Sequence, residues 1–125
     1  MKIFKFGGAS VKDADGIKNV YDVLQKAGYE DVLLVVSAMG KTTNALEVVI
    51  KNYFEKSAEL SASVQEIKKY HNQILLDLFE NDKDPVFAAV NEQFTDLEYF
   101  LAHNKSPNYN FVYDQIVSFG ELIST

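Results

Sequence analysis

The chain has 125 residues, of which 47% are hydrophobic and 24% are charged, so it has room for one small domain with a core and not comfortably for two. Twelve basic residues against eighteen acidic ones give a formal net charge of -6, which disfavours general electrostatic binding to nucleic acid or to an anionic membrane. Every basic residue is a lysine, so no guanidinium group is present for a two-point contact with a carboxylate or phosphate. The absence of cysteine excludes disulfides, thiolate metal sites and cysteine nucleophiles.

The first residues do not have the pattern of a targeting segment. Lys2 and Lys5 interrupt the apolar residues, unlike the core of a secretory signal, and no arginine-rich transit pattern is present. Wholly apolar runs such as Val32 to Val36 are far shorter than the roughly 20 residues that cross a bilayer. We therefore expect a cytoplasmic protein without a membrane anchor.

Two apolar segments, residues 1–6 and 31–36, predict parallel strands of a covered sheet. Each ends at small residues, Gly7–Gly8 after the first and Ser37–Gly40 after the second. Between them, apolar residues at positions 17, 20, 21 and 24 recur at helical spacing, and Gly28 follows as a C-cap. The pattern predicts a βαβ unit.

The rest of the chain is predicted to be helical, which gives an α/β fold with a partial parallel sheet. Hydrophobic spacing indicates one helix around residues 46–53, a second around 64–78 with a break near its polar residues, and a third from Pro85 to about Leu101. A loop is expected at 104–110 and a final helix at 111–125. Two strands are too few for a stable open sheet, so we expect the N-terminal part of a longer chain.

The first candidate motif is residues 5–11, KFGGASV, where the first strand gives way to a helix. A double glycine followed by a hydroxyl residue is typical of a phosphate-binding loop, because glycine lets the backbone approach the anion closely. Lys5 adds a positive charge beside it. The spacing matches neither the P-loop nor the dinucleotide-binding fingerprint. From these residues alone, a phosphate site and a simple tight turn at Gly7–Gly8 both remain open.

The second motif is residues 35–44, VVSAMGKTTN, at the end of the second strand. Ligands of open α/β sheets bind at the carboxyl ends of the strands, so this loop and the first should line the same crevice. Ser37, Thr42, Thr43 and Asn44 offer hydroxyl and amide groups to a small polar ligand. In the alternative interpretation, Thr43 or Asn44 is the N-cap of the next helix.

The third motif is residues 118–125, SFGELIST, in the last predicted helix. Glycine inside a helix costs up to roughly 1 kcal/mol relative to alanine, so Gly120 indicates close packing or the approach of a ligand. Glu121 shares a helix face with Val117 and Ser124, so a partly buried carboxylate that binds a ligand amino group is one interpretation. From this segment alone, a solvent-facing glutamate is favoured.

Taken in order, the three segments resemble the aspartokinase family of the amino-acid kinase superfamily. KFGGASV resembles the family's opening K-F-G-G-[TS]-S-V, with alanine at position 9; VVSA and the later T-N pair resemble its second loop; SFGE resembles its S-x-G-E helix. Residues 55–109 add only generic helix. The resemblance implies the N-terminal portion, residues 1–125, of a catalytic domain with the carbamate kinase-like three-layer α/β/α sandwich, without an ACT domain.

The resemblance also implies an activity. Aspartokinases transfer the γ-phosphoryl group of ATP, with Mg²⁺, to the β-carboxylate of L-aspartate, the first step towards lysine, threonine and methionine. L-aspartate and ATP are then the ligands, the full-length enzyme is a homodimer, and neither nucleic acid nor a membrane is a partner. The family's arginine and catalytic aspartate lie in a later part of the domain, so we expect residues 1–125 alone to be inactive.

Residue roles follow from the same resemblance. Lys5 is the catalytic residue, because it neutralises charge on the transferring phosphoryl group. The residues implied in binding ATP phosphates are Lys5, Phe6, Gly7, Gly8 and Ser10. Those implied in binding aspartate are Ser37, Thr43 and Glu121. No metal ligand is implied, and His71 and His103 are expected to be ordinary surface or core residues, because a carboxylate nucleophile is already ionised at neutral pH.

Two alternatives remain open. The first is another carboxylate kinase of the superfamily, of the acetylglutamate or glutamate kinase type, although those lack the K-F-G-G-x-S-V opening. The second is a helical interaction module in which the glycine loop is only structural and the acidic stretch at residues 77–98 docks a partner.

Overall fold

The computed structural model describes residues 1–125, which form two strands and five α-helices. Strand β1 (Lys2–Phe6) pairs in parallel with strand β2 (Val32–Val36). A 3-10 turn at Gly8–Val11 and helix α1 (Ala14–Ala27) connect the strands, so the predicted βαβ unit is confirmed. The remaining helices are α2 (Thr42–Phe54), α3 (Leu60–Leu78), α4 (Pro85–His103) and α5 (Tyr109–Ser124).

Helix boundaries follow local signals in the sequence. Asp13 caps α1 by accepting a hydrogen bond from the N–H of Gly16 at 2.8 Å, and Gly28, with φ 81°, ends the helix. Pro85 occupies the first turn of α4, where its missing N–H has no intrahelical partner to lose. Helix α3 runs without interruption for 19 residues, so the expected break is wrong.

The core lies between the helices. Its largest fully buried side chains come from α2, α3, α4 and α5 and include Leu46, Ile50, Phe94, Leu97 and Ile116. Helix α2 packs against α3 and α5, and α4 packs against the same two helices. No helix combines the length and apolar composition needed to cross a membrane.

The prediction that the sheet is covered is wrong within residues 1–125: Leu34 is 44% exposed on one face, and the other face is more open. On that face Ile3, Leu33 and Val35 are 63%, 48% and 41% exposed. Register places Lys5 beside Val35 on the same face. Continuous apolar strands require a layer on each side, and the helices of this chain pack mainly on one another, so no layer covers these side chains.

Candidate functional site

The three segments singled out in the sequence meet around the loop that follows β2. A Cβ added to Gly8 would lie 2.6 Å from the Gly40 carbonyl oxygen and 3.0 Å from that of Ala38. A Cβ added to Gly120 of α5 would lie 2.9 Å from the Ala38 Cβ. Both approaches are too close for any other residue type, which confirms the close packing predicted at Gly120. The three segments therefore form one structural unit.

Backbone hydrogen bonds continue the parallel pairing from the strands into the two loops. The N–H of Ser37 donates to the Phe6 carbonyl at 3.0 Å, and the N–H of Gly40 donates to the Gly8 carbonyl at 3.0 Å. The loops consequently lie side by side at the carboxyl edge of the sheet, where α/β proteins bind ligands.

Gly7 forms an open part of the first loop. Its backbone is extended, with φ -76° and ψ 173°, and no atom lies within 4 Å of the position that a Cβ would take. Neither Gly7 nor Gly8 has a positive φ, so a tight turn that requires glycine is not the reason for the pair. Close packing against the second loop explains why position 8 is glycine. At position 7 the absence of a side chain leaves the backbone accessible to a ligand. The exposed Ser10 follows, and its N–H bonds to the Gly7 carbonyl at 3.0 Å.

Lys5 presents an unpaired ammonium group at the edge of this loop. Its side chain is exposed, and the one ion pair of the chain joins the N-terminal ammonium to Asp31 at 3.1 Å. Phe6 is half-buried, and its ring stacks on Phe4 with centroids 6.4 Å apart. Lys5 is therefore available to an anion, while the Phe6 side chain packs on the sheet.

The residues implied in aspartate binding surround the second loop. Ser37 begins the loop, Thr43 lies in the first turn of α2, and both are half-buried. Glu121 is exposed, which confirms the solvent-facing glutamate favoured from its segment alone and not the partly buried carboxylate. Helix geometry explains this orientation, because Gly120 faces the core and the next residue is turned about 100° away from it.

The alternative assignment of Thr43 or Asn44 as an N-cap is wrong. Lys41 occupies the N-cap position of α2 and makes no side-chain capping bond. The buried Thr42 instead donates its hydroxyl proton to the Met39 carbonyl at 2.6 Å. Neither Thr43 nor Asn44 caps the helix. The Thr42 side chain is the group that holds the backbone of the loop, through its hydrogen bond to Met39.

Two residues that the sequence did not assign to the site, Tyr70 and His71 of α3, contact these loops. The Tyr70 hydroxyl donates to the Lys12 carbonyl, and burial, with Asp13 nearby, raises the pKa of Tyr70. His71 is 2% exposed, and its Nε2 lies 3.5 Å from the Thr42 hydroxyl oxygen. Of these two residues, only His71 could have been identified as buried from the sequence, because it lies among the regularly spaced apolar residues of α3.

His71 belongs to the core as a neutral ring. Its Nδ1 lies 2.8 Å from the Ile67 carbonyl oxygen, which only accepts, so Nδ1 carries the proton. Burial lowers the pKa of His71 below its ordinary value of 6.5, against a smaller opposing effect of this hydrogen bond. The ring packs edge-on against Phe94 with centroids 5.7 Å apart.

The described side chains do not form a metal centre. No three His, Asp or Glu side chains are grouped so that they could hold one ion. Mg²⁺ is commonly held by substrate phosphates and water together with one or two carboxylates.

A cavity of about 800 Å³ lies beside the strand ends and shares residues with both loops, among them Ala9, Gly40 and Thr42. Its walls come from the 3-10 turn, the start of α2 and the middle of α3, and include Gly40 and Tyr70. None of Lys5, Ser37 and Glu121 lines it. Of the side chains that the sequence suggested as ligand-binding groups, Thr42 alone lines this cavity.

Comparison with known proteins places this geometry in a family. The sequence model for the Amino acid kinase family matches residues 1–125. Aspartokinase 1, chloroplastic, of Arabidopsis thaliana is 32% identical over 126 residues, which cover 98% of this chain and 22% of that protein.

Two solved structures share the fold. The crystal structure of aspartate kinase from Clostridium acetobutylicum superposes with a TM-score of 0.75 at 18% identity and covers 98% of this chain and 27% of that one. The structure of Escherichia coli aspartokinase III in complex with aspartate and ADP superposes with a TM-score of 0.67 at 27% identity and covers 99% of this chain and 27% of that one.

The chain thus spans between 22% and 27% of the length of these proteins. The predicted fold class is confirmed by the two superpositions, and the resemblance to aspartokinases is confirmed by the named relatives. Because the family model covers every residue of the sequence, the chain belongs to the amino acid kinase family.

Proposed function

We propose that the chain is the N-terminal part of the catalytic domain of an aspartate kinase, which transfers the γ-phosphoryl group of ATP to the β-carboxylate of L-aspartate. The observation that carries the proposal is the packing of Gly8 and Gly120 on the loop that contains Ala38, because it unites all three motifs. Further support comes from E. coli aspartokinase III, whose structure contains aspartate and ADP and which is 27% identical across 99% of this chain.

Phosphoryl transfer depends mainly on positioning and on charge neutralisation. In the proposed site, the unpaired ammonium of Lys5 neutralises charge on the transferring group. The open backbone at Gly7, with Gly8, Phe6 and Ser10 beside it, holds the phosphate oxygens. Mg²⁺ bound to ATP supplies additional charge neutralisation.

The aspartate subsite needs hydrogen-bonding groups and a protein carboxylate to bind the substrate amino group. It does not need a strong base. Ser37 and Thr43 contact the substrate, and Glu121 holds its α-amino group. The side-chain carboxyl of aspartate has a pKa of about 3.9, so the nucleophile is ionised at neutral pH. The buried His71 consequently has no proton-transfer role in this proposal.

A hydroxamate assay on the complete gene product, supplied with ATP and Mg²⁺, tests the activity. We expect turnover with L-aspartate, and a Lys5→Ala variant should lower kcat by about 100-fold or more, the size typical for removal of one charge-stabilising group. Lys2→Ala is the matched control, because Lys2 lies on the same strand and its ammonium reaches the Ala27 carbonyl at 3.4 Å. Preference for L-glutamate or N-acetyl-L-glutamate would contradict the substrate, and an active Lys5→Ala variant would contradict the site.

Chemical-shift mapping on residues 1–125 separates the kinase from the docking module. A non-hydrolysable ATP analogue should shift the amide signals of Gly7, Gly8 and Ser37. Shifts confined to α4 would favour the module instead. The proposal also includes a homodimer, which sedimentation of the complete gene product would test, and a cytoplasmic location, which cell fractionation would test. Residues 1–125 alone should show no turnover in the hydroxamate assay.

A further inference from the structure

Helix α3 contacts both loops of the site through one side chain, Tyr70. Its hydroxyl donates to the backbone carbonyl of Lys12, the residue that follows the 3-10 turn of the first loop. The same oxygen lies 2.6 Å from the position that a Cβ on Gly40 would take. Tyr70 therefore lies between the end of the first loop and the turn of the second.

Gly40 is the residue at which the second loop turns toward α3. Its φ of 55° lies in the left-handed region, where the backbone is favourable only for glycine and a few other residues. One backbone hydrogen bond, from Gly40 to Gly8 at 3.0 Å, joins it directly to the first loop. The Tyr70 hydroxyl is the side-chain group that contacts it from α3.

The helix that carries Tyr70 is fixed in the core. Ile67, His71 and Ile74 are buried, and the His71 ring meets the Tyr70 ring edge-on with centroids 5.1 Å apart. A hydroxyl held by a rigid helix and bonded to loop backbone restrains that backbone. Tyr70 has the geometry of a brace between the core and both loops.

We propose that Tyr70 is a positioning residue that keeps the two loops at a fixed separation, so that the phosphoryl donor and the aspartate carboxylate remain aligned. The identity of the reacting groups rests on the proposed function, whereas the bracing itself does not. Tyr70 touches neither substrate and acts through the backbone of Lys12 and Gly40. A misplacement of about 1 Å can lower a rate by about 100-fold, so a modest loosening is measurable.

Tyr70→Phe in the complete gene product tests the proposal, because it removes the hydroxyl and keeps the ring. Tyr53→Phe is the matched control: the half-buried Tyr53 hydroxyl accepts a hydrogen bond from Asn104 at 2.8 Å, and it touches neither loop. We expect Tyr70→Phe to lower kcat about fivefold to tenfold with KM values changed less than about twofold, and Tyr53→Phe to leave kcat unchanged. Equal kcat values in the two variants would overturn the proposal.

Hydrogen exchange gives a second measurement that does not depend on the reaction. The segment containing the Gly40 amide should exchange faster in Tyr70→Phe than in the wild type and in Tyr53→Phe, because the bond to Gly8 opens more often. Unchanged exchange would overturn the bracing role for any substrate. Faster exchange in a gene product that does not phosphorylate aspartate would keep the bracing role and overturn the proposed function.

Discussion

Gly120 and Ala38 pack so closely that a Cβ on Gly120 would lie 2.9 Å from the Cβ of Ala38. This contact joins α5 to the loop after β2 through van der Waals packing. It also sets the distance between Glu121, the next residue of α5, and Ser37, the residue before Ala38. The relative position of the two proposed aspartate-binding groups therefore depends on the packing of Gly120 against Ala38.

Gly120→Ala should destabilise the protein. The new methyl group would meet the Ala38 Cβ and, at 3.3 Å, a methyl group of Leu46, so we expect the free energy of unfolding to fall by about 1–3 kcal/mol despite the better helix propensity of alanine. Urea unfolding followed by circular dichroism measures this change. Adding Ala38→Gly should restore part of the loss, since it removes the nearest opposing atom. A Gly120→Ala variant more stable than the wild type would contradict the packing.

The two glycines of the first motif should respond differently to alanine. Gly8→Ala places a methyl group 2.6 Å from the Gly40 carbonyl oxygen, so we expect about 1–3 kcal/mol of destabilisation. Gly7→Ala meets nothing within 4 Å and should change the free energy of unfolding by no more than about 0.5 kcal/mol.

Nucleotide titration completes this comparison. In Gly7→Ala the methyl group occupies the open surface where the phosphate approaches. We therefore expect ATP to bind the complete gene product about tenfold more weakly while the fold is kept. A tenfold loss of affinity corresponds to about one good hydrogen bond. Calorimetric titration measures the affinity. Wild-type affinity in Gly7→Ala would place the phosphate site elsewhere.

Local sequence signals were sufficient to predict the helices and strands and to place the motifs at the strand ends. Asp13, Gly28 and Pro85 mark helix ends through interactions within a few residues, so each boundary can be predicted from the sequence nearby. The motifs follow strand ends, and parallel strands bring those ends together.

Long-range contacts explain what the sequence did not predict. Tyr70 bonds to Lys12, 58 residues earlier, and hydrophobic periodicity carries no information about such a pair. The contact of Gly120 with Ala38 joins segments far apart in the chain, so the sequence near Gly120 does not identify its partner. The apolar strands indicate that a sheet can be buried, although they do not show that the helices of this chain leave Ile3 and Leu33 uncovered.

Glu121→Gln should weaken recognition of the substrate amino group. Removing the charge should raise the KM for aspartate about tenfold to 100-fold with little change in kcat, since a hydrogen bond to a charged group is worth about 1.5–3 kcal/mol. Asp114→Asn is the control, because Asp114 is exposed two turns earlier on the same helix. The assay compares L-aspartate with succinate, which lacks the amino group. A Glu121→Gln variant that keeps the wild-type preference for aspartate would remove Glu121 from the site.

His71 should make the protein less stable as the pH falls. Burial lowers its pKa below 6.5 in the folded state, so between pH 6.5 and that lower pKa the unfolded chain binds a proton that the folded chain does not. The free energy of unfolding then decreases with falling pH by at most about 1.4 kcal/mol per pH unit. Below the folded-state pKa both states are protonated, and this contribution to the slope disappears.

Substitution of His71 isolates this contribution. His71→Phe removes both ring nitrogens and keeps an aromatic ring near Phe94, so we expect a flatter dependence of stability on pH just below pH 6.5. His103→Gln is the control, because His103 is exposed at the end of α4. Urea unfolding at a series of pH values between about 7.5 and 5 measures the slopes, and the comparison stays above the range in which carboxylates titrate. Parallel curves for His71→Phe and the wild type would mean that the folded and unfolded chains protonate His71 equally readily, contrary to its burial.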